Sequence, residues 1–229
     1  MEEQILENSI QDIRHLKPKP AGPSWLAGLC TVISYIFHPI FMPTILCIIL
    51  WKLQAESFAG VTNHTLSMRL ATVVMLTIFF PMVTMLLLRA LGFLKNLQMR
   101  VSKDRIIPLI ATMTFYFWAQ QVFSHLPETP KIINILMLGS FWGIILLFLG
   151  SIFFKVSMHT TAAGGAIGIM IILLFTSRIN MLPALLATIV IAGIVGTARL
   201  ILREHTAAEV WIGYGIGLLV QLAAWAYVG

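Results

Sequence analysis

The chain has 229 residues, of which 59% are hydrophobic and only 10% charged. A soluble domain carries about 25% charged residues, so this composition excludes an ordinary soluble globular protein. The formal charge of +6 would suggest nucleic-acid binding in a soluble chain. In a membrane protein it is explained by the charge bias of loops and by lipid headgroups, so we expect membrane lipids, and no nucleic acid, as partners.

Residues 1–24 are predicted to form a separate N-terminal segment. Its apolar residues recur every three or four positions, which is typical of a helix lying on a membrane surface; they are Leu6, Ile10, Ile13 and Leu16. The sequence "KPKPAGP" at 17–23 then ends this helix. The alternative is a flexible tail. The acidic start "MEEQILENSI" predicts no cleavable signal peptide.

Seven apolar segments are long enough to cross the hydrocarbon core of a bilayer, which takes about 20 residues. They lie at about 28–53, 69–91, 106–123, 132–154, 160–177, 181–198 and 206–228. The connections between them are short and leave no room for a soluble domain. The sequence therefore predicts an all-α, polytopic membrane helix bundle with six or seven transmembrane helices, formed as one domain by residues 25–229.

The first apolar segment contains an irregularity, "FHPIFMP" at 37–43. A proline inside a helix removes a backbone hydrogen bond and kinks the helix. The simpler interpretation, which the sequence favours, is a kink packed against neighbouring helices. The alternative is a broken or re-entrant helix in which His38 lines a polar cavity.

Ionisable residues are concentrated in three connections, at 95–108, 154–165 and 198–209. These join segments two and three, four and five, and six and seven. A chain that crosses the membrane at every segment places all three connections on one face. We therefore expect the three clusters to form a single site at that face.

In the third connection, His205 and Glu209 are four residues apart and lie on one face of a helix. A carboxylate there can accept a hydrogen bond from one imidazole nitrogen and leave the other as nucleophile or base. Arg199 converges with His205 only if the helix ends between them. The alternative for Glu209 is structural, because "TAAE" at 206–209 fits a capping box with Thr206 as N-cap. Both interpretations stay open.

In the second connection, "SMHTTAAGG" at 157–165 places Ser157 and His159 at the start of a glycine-rich helix. Helix starts present free backbone N–H groups that favour phosphate. Alternatively, Ser157 or Thr160 only caps the helix and His159 lies among lipid headgroups. We expect six of the glycines in the last three segments to serve close helix packing; they are Gly164, Gly168, Gly193, Gly196, Gly213 and Gly217.

Taken together, these clusters resemble the type 2 phosphatidic acid phosphatase superfamily. Arg199, His205 and Glu209 form R-x5-H-x3-E, similar to the family's third signature, SR-x5-H-x3-D. The sequence "VSMH" at 156–159 is similar to its second signature, PSGH, and "KDRIIP" at 103–108 resembles a bacterial variant of its first, K-x6-RP. The resemblance covers roughly residues 95–217.

This resemblance implies a phosphatidic-acid-phosphatase-like core and a metal-independent lipid phosphatase that needs no cofactor. His205 would be the nucleophile that forms a phosphohistidine, Glu209 would orient it, and His159 would be the general acid and base. The phosphate ligands would be Arg199, Arg105, Lys103 and Ser157. The expected location is a bacterial cytoplasmic (inner) membrane, and the expected partner is a lipid phosphate: phosphatidic acid, phosphatidylglycerol phosphate, a polyprenyl diphosphate or lipid A.

Two other functional classes compete with this interpretation. His159, His205 and Glu209 form a familiar zinc-binding set, but that reading leaves Arg199 and Arg105 unexplained. A transporter or a non-catalytic lipid-binding protein is the second alternative, although no internal repeat typical of many transporters is apparent. The positive-inside rule favours a cytoplasmic site and the resemblance favours the opposite face, so the face stays open.

Overall fold

The computed structural model describes residues 19–58, 60–93 and 105–229, and this part of the chain is helical with no strand. The nine α-helices of these ranges are α1 Ser24–Ile36, α2 Met42–Leu53, α3 Asn63–Val74, α4 Phe80–Ala90, α5 Ile106–His125, α6 Lys131–Phe153, α7 Met158–Thr176, α8 Leu182–Ile201 and α9 Ala207–Val228. A π-helical turn, Met75–Phe79, joins α3 to α4. The predicted surface helix at Leu6–Leu16 and the predicted ligand Lys103 lie outside the described residues.

The prediction of a polytopic membrane helix bundle is confirmed. Seven helical segments are long and apolar enough to cross a membrane: Ser24–Leu53, Asn63–Ala90, Ile106–His125, Lys131–Phe153, Met158–Thr176, Leu182–Ile201 and Ala207–Val228. The second segment begins six residues earlier than predicted. Its start is fixed by Thr62, whose side chain accepts a hydrogen bond from the Thr65 N–H at 3.1 Å, as an N-cap does.

The first segment is broken rather than kinked, so the favoured sequence interpretation was wrong on this point. Helix α1 ends at Ile36, His38 is extended, a 3-10 turn follows at Pro39–Phe41, and α2 begins at Met42. The proline ring disfavours a helical conformation for the preceding residue, and Pro39 has no N–H to continue the helical ladder. The break therefore falls at His38.

Helix α1 lies against the end of α8, whereas α2 runs to the opposite end of the bundle. Before α1, the Ala21 N–H donates to the Ile201 carbonyl at 2.8 Å, and Cys30 of α1 packs in a cluster at the same end of α8. After α2, Gln54 Nε2 donates to Ser177 Oγ at 2.8 Å, between α7 and α8. The described chain thus passes from one end of the bundle to the other between His38 and Gln54.

Glycines bring α7 and α9 into backbone contact. A Cβ atom on Gly164 would overlap the backbone of Tyr214, and one on Gly217 would overlap the carbonyl of Thr161. The same crowding, against side-chain or backbone atoms, confirms the packing role predicted for Gly168, Gly196 and Gly213. That role was wrong for Gly193, where a Cβ would meet nothing within 4 Å.

Candidate active site

The described parts of the three polar connections meet at one end of the bundle, as the predicted topology requires. Arg105 Nη1 donates to the Val156 carbonyl at 2.8 Å, which joins the first connection to the second. The Ser157 N–H donates to the Glu209 carbonyl at 3.3 Å, and Lys155 Nζ donates to the Glu204 carbonyl at 2.7 Å. These two contacts join the second connection to the third.

A cavity of about 580 Å³ lies at this end and extends into the bundle. The charged residues and histidines that line its outer part are His38, Arg105, His159, Arg199, Glu204 and His205. The inner part reaches Leu136 on α6 and Gln221 on α9. The cavity therefore brings together four residues that were predicted for the site: His159, His205, Arg105 and Arg199. His38 lines it too, as the alternative interpretation of a broken first segment predicted.

Glu209 holds His205 in a fixed orientation. His205 Nδ1 and Glu209 Oε2 are 2.6 Å apart, and the His205 side chain is only 3% exposed. The Thr206 hydroxyl accepts from the Glu209 N–H at 3.3 Å, so Thr206 caps α9. The carboxylate, however, bonds to His205. The capping interpretation thus holds for Thr206, and the orienting interpretation holds for the Glu209 side chain.

The surroundings keep the His205 imidazole neutral. Burial, followed by the cations Lys155, Arg105 and Arg199, lowers the pKa of His205 to about 2, because both effects disfavour a charged imidazole. Since a carboxylate only accepts hydrogen bonds, the proton of the neutral ring lies on Nδ1 and faces Glu209. Nε2 therefore carries the lone pair, which is the state a nucleophile needs.

The turn between α8 and α9 brings Arg199 and His205 together. Helix α8 ends in a Schellman motif in which the Arg203 N–H donates to Leu200 and the Glu204 N–H to Arg199, at 3.0 and 3.2 Å. Arg203 takes the left-handed position with φ of 52°, where glycine is usual. This reversal lets both side chains line the cavity, although they lie about 240° apart on an unbroken helix.

Arg199 is held from one side and has hydrogen-bonding capacity left over. Its Nη1 donates to Ser34 Oγ on α1 at 3.1 Å. Its Nε is buried and has no hydrogen-bond partner among the described residues. Since buried donors are almost always paired, this atom favours an anion as the occupant of the cavity beside Arg199.

His159 is anchored to the broken first segment. Its Nε2 lies 3.0 Å from the Ser34 carbonyl, and because a carbonyl only accepts, Nε2 carries a proton. The His38 ring packs edge-on against the His159 ring, with centroids 5.3 Å apart. This leaves Nδ1 of His159 as the nitrogen that can exchange a proton. Sequence reasoning missed Ser34; its only signal is its position one turn before the "FHP" break.

The remaining predicted ligands differ in their positions. Arg105 is buried and lines the cavity. Ser157 is fully buried, its Oγ accepts from the Thr160 N–H at 3.4 Å as the N-cap of α7, and it is absent from the described residues that line the cavity. The capping alternative therefore describes the Ser157 side chain, and the structure does not bring it to the cavity.

Lys155 is a second residue that sequence reasoning missed. Burial, followed by nearby Arg105, lowers its pKa, and the carboxylates of Glu209 and Glu204 oppose this shift. The sequence signal was its place directly before "VSMH". Its positive charge adds to those of Arg105 and Arg199, so this end of the cavity attracts anions.

The donor set does not favour a metal. Among the residues in the described ranges, no three His, Cys, Asp or Glu side chains lie together in a way that would hold a metal ion. His159, His205 and Glu209 therefore do not form the zinc site considered from the sequence. The cations around His205 would also repel a metal cation.

In comparisons with protein-family models, curated proteins and solved structures, nothing matches this chain.

Proposed function

We propose that the protein is a membrane lipid phosphatase that hydrolyses a phosphate monoester or diphosphate on a lipid through a phosphohistidine. The observation that carries this proposal is the neutral His205, fixed by Glu209 at 2.6 Å in a cavity that also holds Arg199, Arg105 and His159. The resemblance of the same residues to the type 2 phosphatidic acid phosphatase signatures supports it.

The first chemical step uses both histidines. His205 Nε2 attacks phosphorus, the P–N bond forms and the bond to the lipid oxygen breaks. The phosphate enters as its monoanion, neutral His159 takes the proton on Nδ1 and passes it to the leaving lipid oxygen, and the His159 Nε2–H stays on Ser34. As His205 becomes positively charged, the Glu209 carboxylate stabilises it, the role that an acidic residue has beside a catalytic histidine.

The second step reverses these roles. His159 Nδ1 takes a proton from water, the resulting hydroxide attacks phosphorus, and the P–N bond breaks to release inorganic phosphate and regenerate neutral His205. Arg199 and Arg105 stabilise the negative oxygens of both transition states by charge-assisted hydrogen bonds. No step requires a metal.

The polytopic bundle suits a substrate anchored in a bilayer, because the cavity combines a charged outer part with an apolar inner part. We place the protein in a bacterial cytoplasmic membrane, on the strength of the resemblance of "KDRIIP" to the bacterial signature. The substrate class is a lipid phosphate such as phosphatidic acid, phosphatidylglycerol phosphate, a polyprenyl diphosphate or phosphorylated lipid A.

The test is phosphate release from a panel of these four lipids by the purified protein, with and without EDTA. We expect release by the wild type that persists in EDTA and is lost in His205→Ala. The matched control is His125→Ala, which removes an exposed histidine at the far end of α5 and should leave release unchanged. Loss in EDTA would favour a metalloenzyme, and no release by folded protein would favour lipid binding or transport.

A further inference from the structure

The cavity of the candidate active site continues well beyond the charged residues. On α6 its lining runs from Leu147, which packs with Val156 near the site, to Leu136. Eleven residues of helix correspond to a depth of about 16 Å. Phosphate chemistry needs only the outer few ångströms, so the inner part requires a separate explanation.

The inner part of the cavity is lined mainly by apolar side chains and is closed at its end. Its end is lined by Leu46, Leu136, Val220 and Gln221. These residues are 4%, 1%, 6% and 3% exposed, respectively. The Gln221 amide lies directly against the Cα of Gly139, where even a Cβ would overlap it. The cavity therefore ends blindly inside the bundle.

The width of this inner part depends on a missing side chain at Gly143. Gly143 lines the cavity, and a Cβ there would meet only Val220 Cγ2, at an ordinary contact distance of 3.7 Å. A glycine in a strongly apolar helix leaves space that a larger residue would fill. The neighbouring Ile144 lines the same stretch.

The volume of the cavity suits one hydrocarbon chain. If a methylene takes about the volume of a water molecule, ~30 Å³, then 580 Å³ holds about 19 such groups. A phosphate group has five non-hydrogen atoms. At about one such volume for each atom, it leaves space for a chain of about 14 carbons. The two chains of a diacyl lipid would need about twice this space.

We infer that the inner cavity is a binding site for a single hydrocarbon chain of the lipid whose phosphate lies at His205, and that any second chain stays outside in the bilayer. This inference rests on the proposed function for the position of the phosphate. The contact between Gly139 and Gln221, which closes the inner end of the cavity, then limits the length of the hydrocarbon chain that binds.

The test is a ladder of unbranched alkylphosphonates of 8 to 20 carbons, which carry the charged head but are not hydrolysed. Each is incorporated at the same mole fraction into nanodiscs containing the protein and displaces radiolabelled decylphosphonate. Because a chain in a bilayer is already out of water, affinity should stay constant up to about 14 carbons. It should then fall about tenfold over the next four, because further methylenes overpack the closed end.

Substitutions in the inner cavity should change the chain length at which affinity begins to fall, which we call the break in the ladder. Gly143→Leu places a branched side chain in the cavity, and we expect the fall about four carbons earlier. Gly143→Ala is the matched control and should leave the break where it is. Ile144→Ala enlarges the same stretch and should move the break to longer chains, a result that does not depend on Gly143→Leu folding.

A flat ladder in the wild type, or a break that none of the substitutions moves, would overturn the inference. Its failure is distinguishable from that of the proposed function. A break in the ladder without phosphate release from any lipid would keep the chain site and refute the phosphatase. Phosphate release with a flat ladder would do the reverse.

Discussion

The contact between α7 and α9 predicts opposite effects for two glycines on the same helix. At Gly217, an alanine Cβ would overlap the carbonyl oxygen of Thr161 and the backbone nitrogen of Gly165. Backbone atoms cannot rotate away, so the helices must separate. At Gly215, a Cβ meets nothing within 4 Å. The two substitutions have the same chemistry and differ only in what the new methyl group meets.

The expected magnitudes follow from this difference. Overpacking costs about 1–3 kcal/mol, whereas replacing glycine by alanine in a helix gains about 0.5–1 kcal/mol. Gly217→Ala should therefore lower the free energy of unfolding by about 1–2 kcal/mol, and Gly215→Ala should raise it by up to about 1 kcal/mol. At about 2–4 °C per kcal/mol for a chain of this length, the two midpoints should differ by about 3–12 °C.

The assay is thermal unfolding of both variants and the wild type in one detergent, followed by intrinsic fluorescence. Equal midpoints for the two variants, or a higher midpoint for Gly217→Ala, would refute the interpretation of α7 and α9 as helices in backbone contact. Because this contact also sets the distance between the starts of the two helices, Gly217→Ala should lower phosphate release as well.

Three further predictions concern the site and its turn. Glu209→Gln should lower the rate of phosphate release by about 10³-fold or more, because the amide does not stabilise a charged His205; Glu209→Asp should retain part of the rate, and equal rates for both would argue against an orienting carboxylate. The pKa of His205 is about 2 in the folded protein, below its usual 6.5, so the unfolded state binds more protons and stability falls as the pH drops below about 6.5. By pH 5 the loss is about 2 kcal/mol, and His205→Asn should lack this part of the pH dependence; an unchanged pH profile in that variant would contradict a buried neutral imidazole. Arg203→Gly should raise stability by about 1 kcal/mol with unchanged phosphate release, because it relieves a left-handed residue; a lower unfolding midpoint would show that the Arg203 side chain itself stabilises the turn.

The helices, and the end of the bundle at which the site residues meet, were predictable because both depend on simple constraints. Each span needs about 20 apolar residues, so hydropathy locates it without knowledge of its neighbours. The parity of the crossings then places Arg105, His159 and His205 at one end. The four-residue spacing of His205 and Glu209 likewise predicts their contact, because it is local to one helix turn.

The details that failed depend on tertiary contacts. The two prolines after His38 predict a disturbance, but whether the helix kinks or breaks depends on what holds the two pieces, here the end of α8. Ser34 has only one signal in the sequence, its position one turn before the "FHP" break, since its carbonyl and hydroxyl acquire partners from α7 and α8 only in the folded bundle. Gly193 cannot be distinguished from Gly196 by composition, because only the position of the neighbouring helix separates them.

Rapid-quench trapping tests directly whether His205 forms a covalent bond to phosphorus. The protein is mixed with the lipid phosphate that it hydrolyses, stopped in alkali, digested and analysed by mass spectrometry. A phosphohistidine mechanism predicts a phosphorylated peptide containing His205 that forms and decays at the rate of turnover and is absent in His205→Ala. Phosphate release at the wild-type rate by His205→Ala, or a phosphoryl group on another residue, would contradict it.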